Sequence, residues 1–191
     1  MVPCVVSSTV LVSLITLRYF AYGSNMLVGR IRQPDRAPSA VPVSTASLPG
    51  YQLHFHKRSL RDGSGKCNIL QTRLSGDIVH GVLYEVSGGD CGTLDVAEGF
   101  RRGYLRKEVR VLSTSGWTTA FTYVAQYEFI SGGLKPFHWY KDFVVAGANE
   151  HALPAPYVRG LLKLSSQDDP DVARDDAARM ILAVATNGCK G

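Results

Sequence analysis

What most constrains the fold of this chain is the order in which two periodicities occur. Between residues 51 and 126, short segments alternate bulky apolar and polar residues and are punctuated by glycine turns. Segments 51–56, 68–72, 78–86, 104–112 and 118–126 read as strands. Ile78, Val82, Tyr84 and Val86 fall on one side of the third. Gly76-Asp77 reads as a turn that joins 68–72 to 78–86 as a hairpin, and Ser115-Gly116 joins the last two. One helix, 89–99, interrupts the strands, with Leu94 and Ala97 on one side and Gly99 as its C-cap. From residue 135 the period becomes helical. Residues 135–151 place Trp139, Phe143 and Ala146 on one face, with Pro136 in the first turn. Residues 155–164 and 172–185 read as two further helices. Residues 36–49, interrupted by proline, read as extended pieces with turns. Strands first and helices gathered at the end give an α+β fold. Its centre is a small mixed, mostly antiparallel barrel-like sheet with flanking helices.

Chemistry enters at two places. Tyr19, Phe20 and Tyr22 suit a pleated strand, and Gly23-Ser24-Asn25 stop it with turn and cap residues. Residues 26–32 read as a short helix ended by Pro34. A strand that hands a glycine turn to a helix start points N–H groups outward, where they can hold a carboxylate or a developing oxyanion. Gly23 has no Cβ, so a ligand can approach the main chain there. The second place is Glu98, in the last turn of the 89–99 helix. A carboxylate is electrostatically disfavoured at that negative end, a misfit that suits a general base. Taken singly, the first is also an ordinary capped connection and the second an ordinary exposed glutamate.

Several function classes drop out. At 191 residues the chain holds one principal domain, read as 17–164, with a loose N-terminal extension at 1–16 and a helical tail at 165–191. The tail helix is expected at the periphery, with Arg174, Asp175, Asp176 and Arg179 on its outer side. The apolar run at 10–17 is too short to span a bilayer, and no Lys or Arg precedes Arg18 to form the n-region of a signal peptide. The net charge of +5 is spread along the chain. Its basic runs, Lys57-Arg58 with Arg61 and Arg101-Arg102 with Arg106-Lys107, lack any nucleic-acid motif and read as solvated faces. Cys4, Cys67, Cys91 and Cys189 are isolated, which argues against zinc and suits a reducing, cytoplasmic setting. His54 and His56 share a strand face without a third ligand at metal spacing. The 61–67 loop fails as a phosphate loop, because Leu60 replaces its first glycine and Cys67 its Ser or Thr.

Three blocks carry a resemblance. Tyr19-Phe20-Ala21-Tyr22-Gly23-Ser24-Asn25 resembles the signature loop of the γ-glutamylcyclotransferase family. Leu94-Asp95-x-x-Glu98-Gly99, followed by Gly103-Tyr104 and Val109-x-Val111, is similar to its second block. Tyr140 with Gly147-Ala148-x-Glu150-x-x-Leu153-Pro154 is similar to its third. The blocks keep family order and span residues 18–164. The resemblance implies a lyase-type cyclisation that releases 5-oxoproline and a free amine from a small γ-glutamyl amine or γ-glutamyl amino acid, as in glutathione metabolism. It implies Glu98 as catalytic proton acceptor and donor. Tyr19, Phe20, Ala21, Tyr22, Gly23 and Ser24 become the substrate-binding loop, and Tyr140 a contact to the γ-glutamyl group. No metal or organic cofactor is needed, no nucleic acid or membrane is expected, and the protein is a monomer or homodimer. Two alternatives stand beside this. One is deprotection of a γ-glutamyl intermediate on an acidic acyl carrier protein, with Arg101, Arg102, Arg106 and Lys107 as the docking charge. The other is a relative that binds γ-glutamyl compounds or a partner without turnover, against which the presence of Glu98 argues.

Overall fold

Strand pairing in a computed structural model, which describes residues 15–187, closes a five-stranded barrel. Its order is β1 (Thr16–Ala21), β5 (Ile78–Ser87), β2 (Val41–Pro49), β6 (Tyr104–Ser113) and β7 (Gly116–Ala125). All neighbours are antiparallel except β7 and β1, which meet in parallel at Tyr19 and Phe121 and close the ring. The helices are α1 (Val28–Ile31), α2 (Cys91–Glu98), α3 (His138–Glu150), α4 (Ala155–Lys163) and α5 (Val172–Asn187). The expected α+β class and barrel-like sheet are thus what the chain forms. Phe20, Val82, Leu83, Val111 and Phe143 are almost wholly buried in its core, each contributing roughly 1.5–3 kcal/mol by removal from water.

Several local expectations are corrected. The strands β3 (Tyr51–Arg58) and β4 (Gly65–Gln71) pair with each other, so the segment before residue 72 is not a hairpin partner of β5. The cause lies at Gly50, whose φ is 77°. Its carbonyl accepts from the Thr72 and Arg73 N–H groups at 2.8 and 3.2 Å, and its own N–H donates to the Asp77 carbonyl at 2.7 Å. That clamp lets the β3–β4 hairpin leave the barrel at Gly50 and rejoin it at Asp77. Residues 36–49, read as loose extended pieces, contain the nine-residue barrel strand β2. Its prolines are tolerated because Pro42 abuts a bulge and Pro49 ends the strand.

The short helix expected over 26–32 is broken in two. A 3-10 turn at Ser24–Met26 precedes α1, and Leu27 between them is extended, with φ −73° and ψ 118°. The break fits the docking of α3. Gly147 lies flush against the Met26–Leu27 backbone, and the Glu150 carboxylate accepts the Val28 N–H at 2.9 Å, occupying a free donor at the start of α1. Pro136 lies before α3 rather than in its first turn.

The last helix is packed, not peripheral. Ala178 is buried, and Ala185 sits against Gly29 of α1. Arg174 turns inward to the Asp169 carboxylate, which also accepts the Trp139 indole N–H at 2.8 Å. The Arg174 guanidinium holds Asp169 down at about 2. Expectations for residues 1–14, including Cys4 and the apolar run up to that point, and for Cys189, lie outside the described residues. No helix among the described residues is long and apolar enough to cross a membrane.

Candidate active site

The strand β1 ends at Ala21, and Asn25 of the turn that follows bonds Glu98 at the C-terminal end of α2. Between them is a small cleft lined by the Gly23-Ser24-Asn25 turn, Cys67, Glu98 and the tyrosines Tyr19, Tyr22, Tyr104, Tyr123 and Tyr140. Glu98 is the only carboxylate lining it among the described residues. Gly99 adopts the left-handed conformation (φ 66°) that the C-cap reading expects. This stops the helix directly after Glu98.

The Glu98 carboxylate is held at one oxygen. Asn25 Nδ2 donates to its Oε1 at 2.9 Å, and Arg36 Nη1 donates to the same atom at 3.0 Å. Arg36 also donates to Asn25 Oδ1 at 3.0 Å, so three side chains form a closed triangle. Oε2 has no hydrogen-bond partner among the described residues, and Glu98 lines the cleft. The glutamate side chain is 18% exposed and Arg36 is 10% exposed, so the pair is shielded yet reachable.

The glycine turn supplies the other half. The first bond inside it runs from the Met26 N–H to the Gly23 carbonyl at 3.0 Å. The N–H groups of Gly23, Ser24 and Asn25 precede that bond and meet no acceptor among the described residues. Gly23 has φ −118°, so no left-handed backbone calls for glycine there. The reason for glycine is space on the inner side. A Cβ there would lie 3.1 Å from Cys67 Cβ and 3.6 Å from the Tyr140 hydroxyl. The glycine lets β4 close on the turn.

The tyrosines are neutral hydrogen-bonding groups. Burial raises Tyr19, Tyr22, Tyr104, Tyr123 and Tyr140 well above the usual phenol range, with negative neighbours adding to it. Tyr19 accepts from Asn25 Nδ2 at 3.1 Å, Tyr104 donates to the Cys67 carbonyl at 2.6 Å, and Tyr140 accepts the Cys67 N–H at 3.2 Å. Burial likewise pushes the Cys67 thiol up to about 12, so it is no nucleophile at neutral pH.

Of the residues singled out in sequence, Tyr19, Tyr22, Gly23, Ser24, Glu98 and Tyr140 converge on one cleft. Phe20 and Ala21 do not: both are fully buried in the core, and Phe20 offers only its carbonyl, to Thr122 Oγ1 at 2.7 Å. Asn25, Arg36, Cys67, Tyr104 and Tyr123 are additional. Asn25 and Tyr104 stand inside the family-like blocks and were within reach of sequence reading. Arg36 lies 62 positions from Glu98 in a proline-flanked stretch without periodicity, and nothing local marks it. The basic run after Gly99 is partly committed: Arg106 bonds Asp95 at 2.7 Å and Lys107 bonds the Tyr51 hydroxyl at 3.0 Å. His54 and His56 stack face to face at 4.9 Å, and no group of potential metal ligands forms among the described residues.

The cleft thus brings together one carboxylate, held at one oxygen, and a turn whose first N–H groups have no acceptor among the described residues. Comparison with known proteins identifies the family. The AIG2-like family profile matches residues 78–161. Bovine gamma-glutamylcyclotransferase is 34% identical over 157 residues, 78% of this chain and 79% of its own. The mouse gamma-glutamylcyclotransferase is 36% identical over 149 residues, 74% and 75% of the two chains. A solved structure of a gamma-glutamyl cyclotransferase superposes with a TM-score of 0.74 at 28% identity, covering 87% of this chain and 99% of that one. The chain belongs to the γ-glutamylcyclotransferase family of enzymes.

The triangle makes a prediction about Arg36. Arg36→Gln removes the second donor to Glu98 Oε1 and the anchor of Asn25. Misplacing a catalytic group by about 1 Å costs on the order of 10²-fold, and kcat/KM is expected to fall by roughly 10–100-fold. Arg36 Nη1 alone donates to both partners; Arg36→Lys keeps the charge but not the planar, rigid donor at that position, and is expected to recover only part of the loss. Steady-state kinetics of both variants checks this. Wild-type activity in Arg36→Gln would show that Glu98 needs no such clamp.

Proposed function

We propose that this protein cleaves a small γ-glutamyl amine or γ-glutamyl amino acid by intramolecular cyclisation, with Glu98 moving the proton. The observation that carries this reading is the pairing of a clamped Glu98, its Oε2 unpartnered, with the free N–H groups of the Gly23 turn.

The chemistry is mainly positioning. Nucleophile and electrophile belong to one molecule, and orientation of this kind is worth on the order of 7–11 kcal/mol. Glu98 Oε2 takes a proton from the substrate α-ammonium. The freed amine attacks the γ-carbonyl carbon, and a new C–N bond closes a five-membered ring. The carbonyl oxygen becomes negative, and the N–H groups of Gly23, Ser24 and Asn25 donate to it. As the old C–N bond breaks, protonated Glu98 gives its proton to the leaving nitrogen; the ring nitrogen then gives up its second proton through Glu98 to the released amine, which departs as an ammonium. The products are 5-oxoproline and a free amine, and the enzyme ends in its starting state. Tyr19, Tyr22 and Tyr140 wall the γ-glutamyl moiety with neutral hydroxyls that compete for no proton.

The test is incubation with a panel of γ-glutamyl compounds, reading 5-oxoproline and free amine by mass spectrometry. Equimolar formation of both is expected. Release of glutamate instead would contradict the reading.

A further inference from the structure

Next to the small cleft lies a larger groove, which shares Ser24, Glu98, Tyr104 and Tyr140 with it. Its far wall is α5, through Arg174, Ala177, Ala178 and Ile181. The groove is rich in cations, and most of its anions are already neutralised. Glu98 is paired with Arg36, Asp62 with Lys66 at 2.9 Å, and Arg174 with Asp169. Arg30, Lys57, Arg61 and Arg102 remain, with no carboxylate partner among the described residues.

These four are placed at two depths. Lys57 is 6% exposed and sits 4.6 Å above the Tyr104 ring, and Tyr104 lines both cavities. Its ammonium therefore stands at the junction, and burial lowers its proton affinity, a cost that a bound anion would relieve. Arg30 also lines the groove, over the Phe143 ring, with a buried Nε that has no hydrogen-bond partner. Arg61 and Arg102 form the outer pair and are exposed. Arg61 is carried on a fixed loop: Ser59 N–H bonds the Ser64 carbonyl at 2.9 Å, and Asp62 holds Ser64 and Lys66.

We infer that this groove receives the leaving amine and selects one carrying two separated anionic groups, the nearer beside Lys57 and the farther between Arg61 and Arg102. This rests on the cyclisation reading and names the substrate class for it. A γ-glutamyl amine whose released part is an acidic amino acid, or an amine bearing a phosphate, has the required chemistry. A released diamine or polyamine would bring positive charge into a positive groove and is disfavoured.

The experiment compares substrates of matched size. γ-Glutamyl-glutamate is set against γ-glutamyl-glutamine, and γ-glutamyl-O-phosphoserine against γ-glutamyl-serine, at low and high salt. The acidic member of at least one pair is expected to have about tenfold higher kcat/KM at low salt, shrinking as salt screens the charges. The pair with the larger ratio tells carboxylate from phosphate. In Arg61→Gln/Arg102→Gln the ratio is expected to fall towards one; both sites are exposed, so folding is not at stake. Equal efficiency within both pairs, or a ratio unchanged in the double variant, would overturn this inference and leave cyclisation standing. A γ-glutamyl group on an acidic carrier protein turning over faster than any free substrate would also overturn it, in favour of macromolecular docking. Absence of 5-oxoproline from all four substrates would instead bring down the cyclisation reading and this one with it.

Discussion

Glu98→Gln is expected to lower kcat by roughly 10²–10⁴. The substitution is nearly isosteric. Its amide oxygen can still accept from Asn25 and Arg36, whose donors now meet Glu98 Oε1 at 2.9 and 3.0 Å. What is lost is the unpartnered carboxylate oxygen Oε2, replaced by an amide nitrogen that cannot take up a proton. KM is therefore expected to change far less than kcat, the signature of an interaction made in the transition state. The tyrosines cannot substitute, since burial keeps their hydroxyls protonated through the neutral range. Steady-state kinetics with a thermal-unfolding control checks the result. A variant within a fewfold of wild-type kcat would remove Glu98 from proton transfer.

Gly147→Ala is expected to cost stability, contrary to helix propensity. In an exposed helix this change stabilises by about 0.5–1 kcal/mol. Here the new Cβ would lie 2.5 Å from the Leu27 nitrogen and 2.7 Å from the Met26 carbonyl carbon, both main-chain atoms. Neither can swing aside as a side chain would, so α3 or the turn must move. Overpacking of this kind costs about 1–3 kcal/mol or more, on the order of 5 °C in Tm for a domain this size. Because Met26 and Leu27 follow the glycine turn directly, activity is expected to fall as well. Calorimetry and kinetics check both, and a raised Tm would show that the contact is slack.

Where sequence reading succeeded, the determining physics was local. Strand alternation over 104–126, the glycine that stops α2 after Glu98, and the turn at Gly23 are all set by residues within a few positions of one another. Where it failed, the decision was made at a distance. The strand β2 hides behind prolines that only a bulge and a strand end excuse. The partner of β4 is chosen by the Gly50 clamp, not by the intervening turn. The helix start after Gly23 is broken because α3 docks on it, a fact written in Gly147 and Glu150 some 120 residues later. Arg36 illustrates the same limit at the site. Its neighbours carry no pattern, and its meaning exists only once Asn25 and Glu98 are brought to it. The C-terminal helix looked solvated from its charges, yet Arg174 is turned inward by Asp169, three residues before the helix begins.

In the proposed reaction the substrate's own amine, not water, attacks the γ-carbonyl. Turnover of γ-glutamyl-alanine in ¹⁸O-labelled water tests it most directly. Cyclisation retains the original carbonyl oxygen, so unlabelled 5-oxoproline and one equivalent of alanine are expected. Glutamate carrying ¹⁸O in its γ-carboxylate would contradict it.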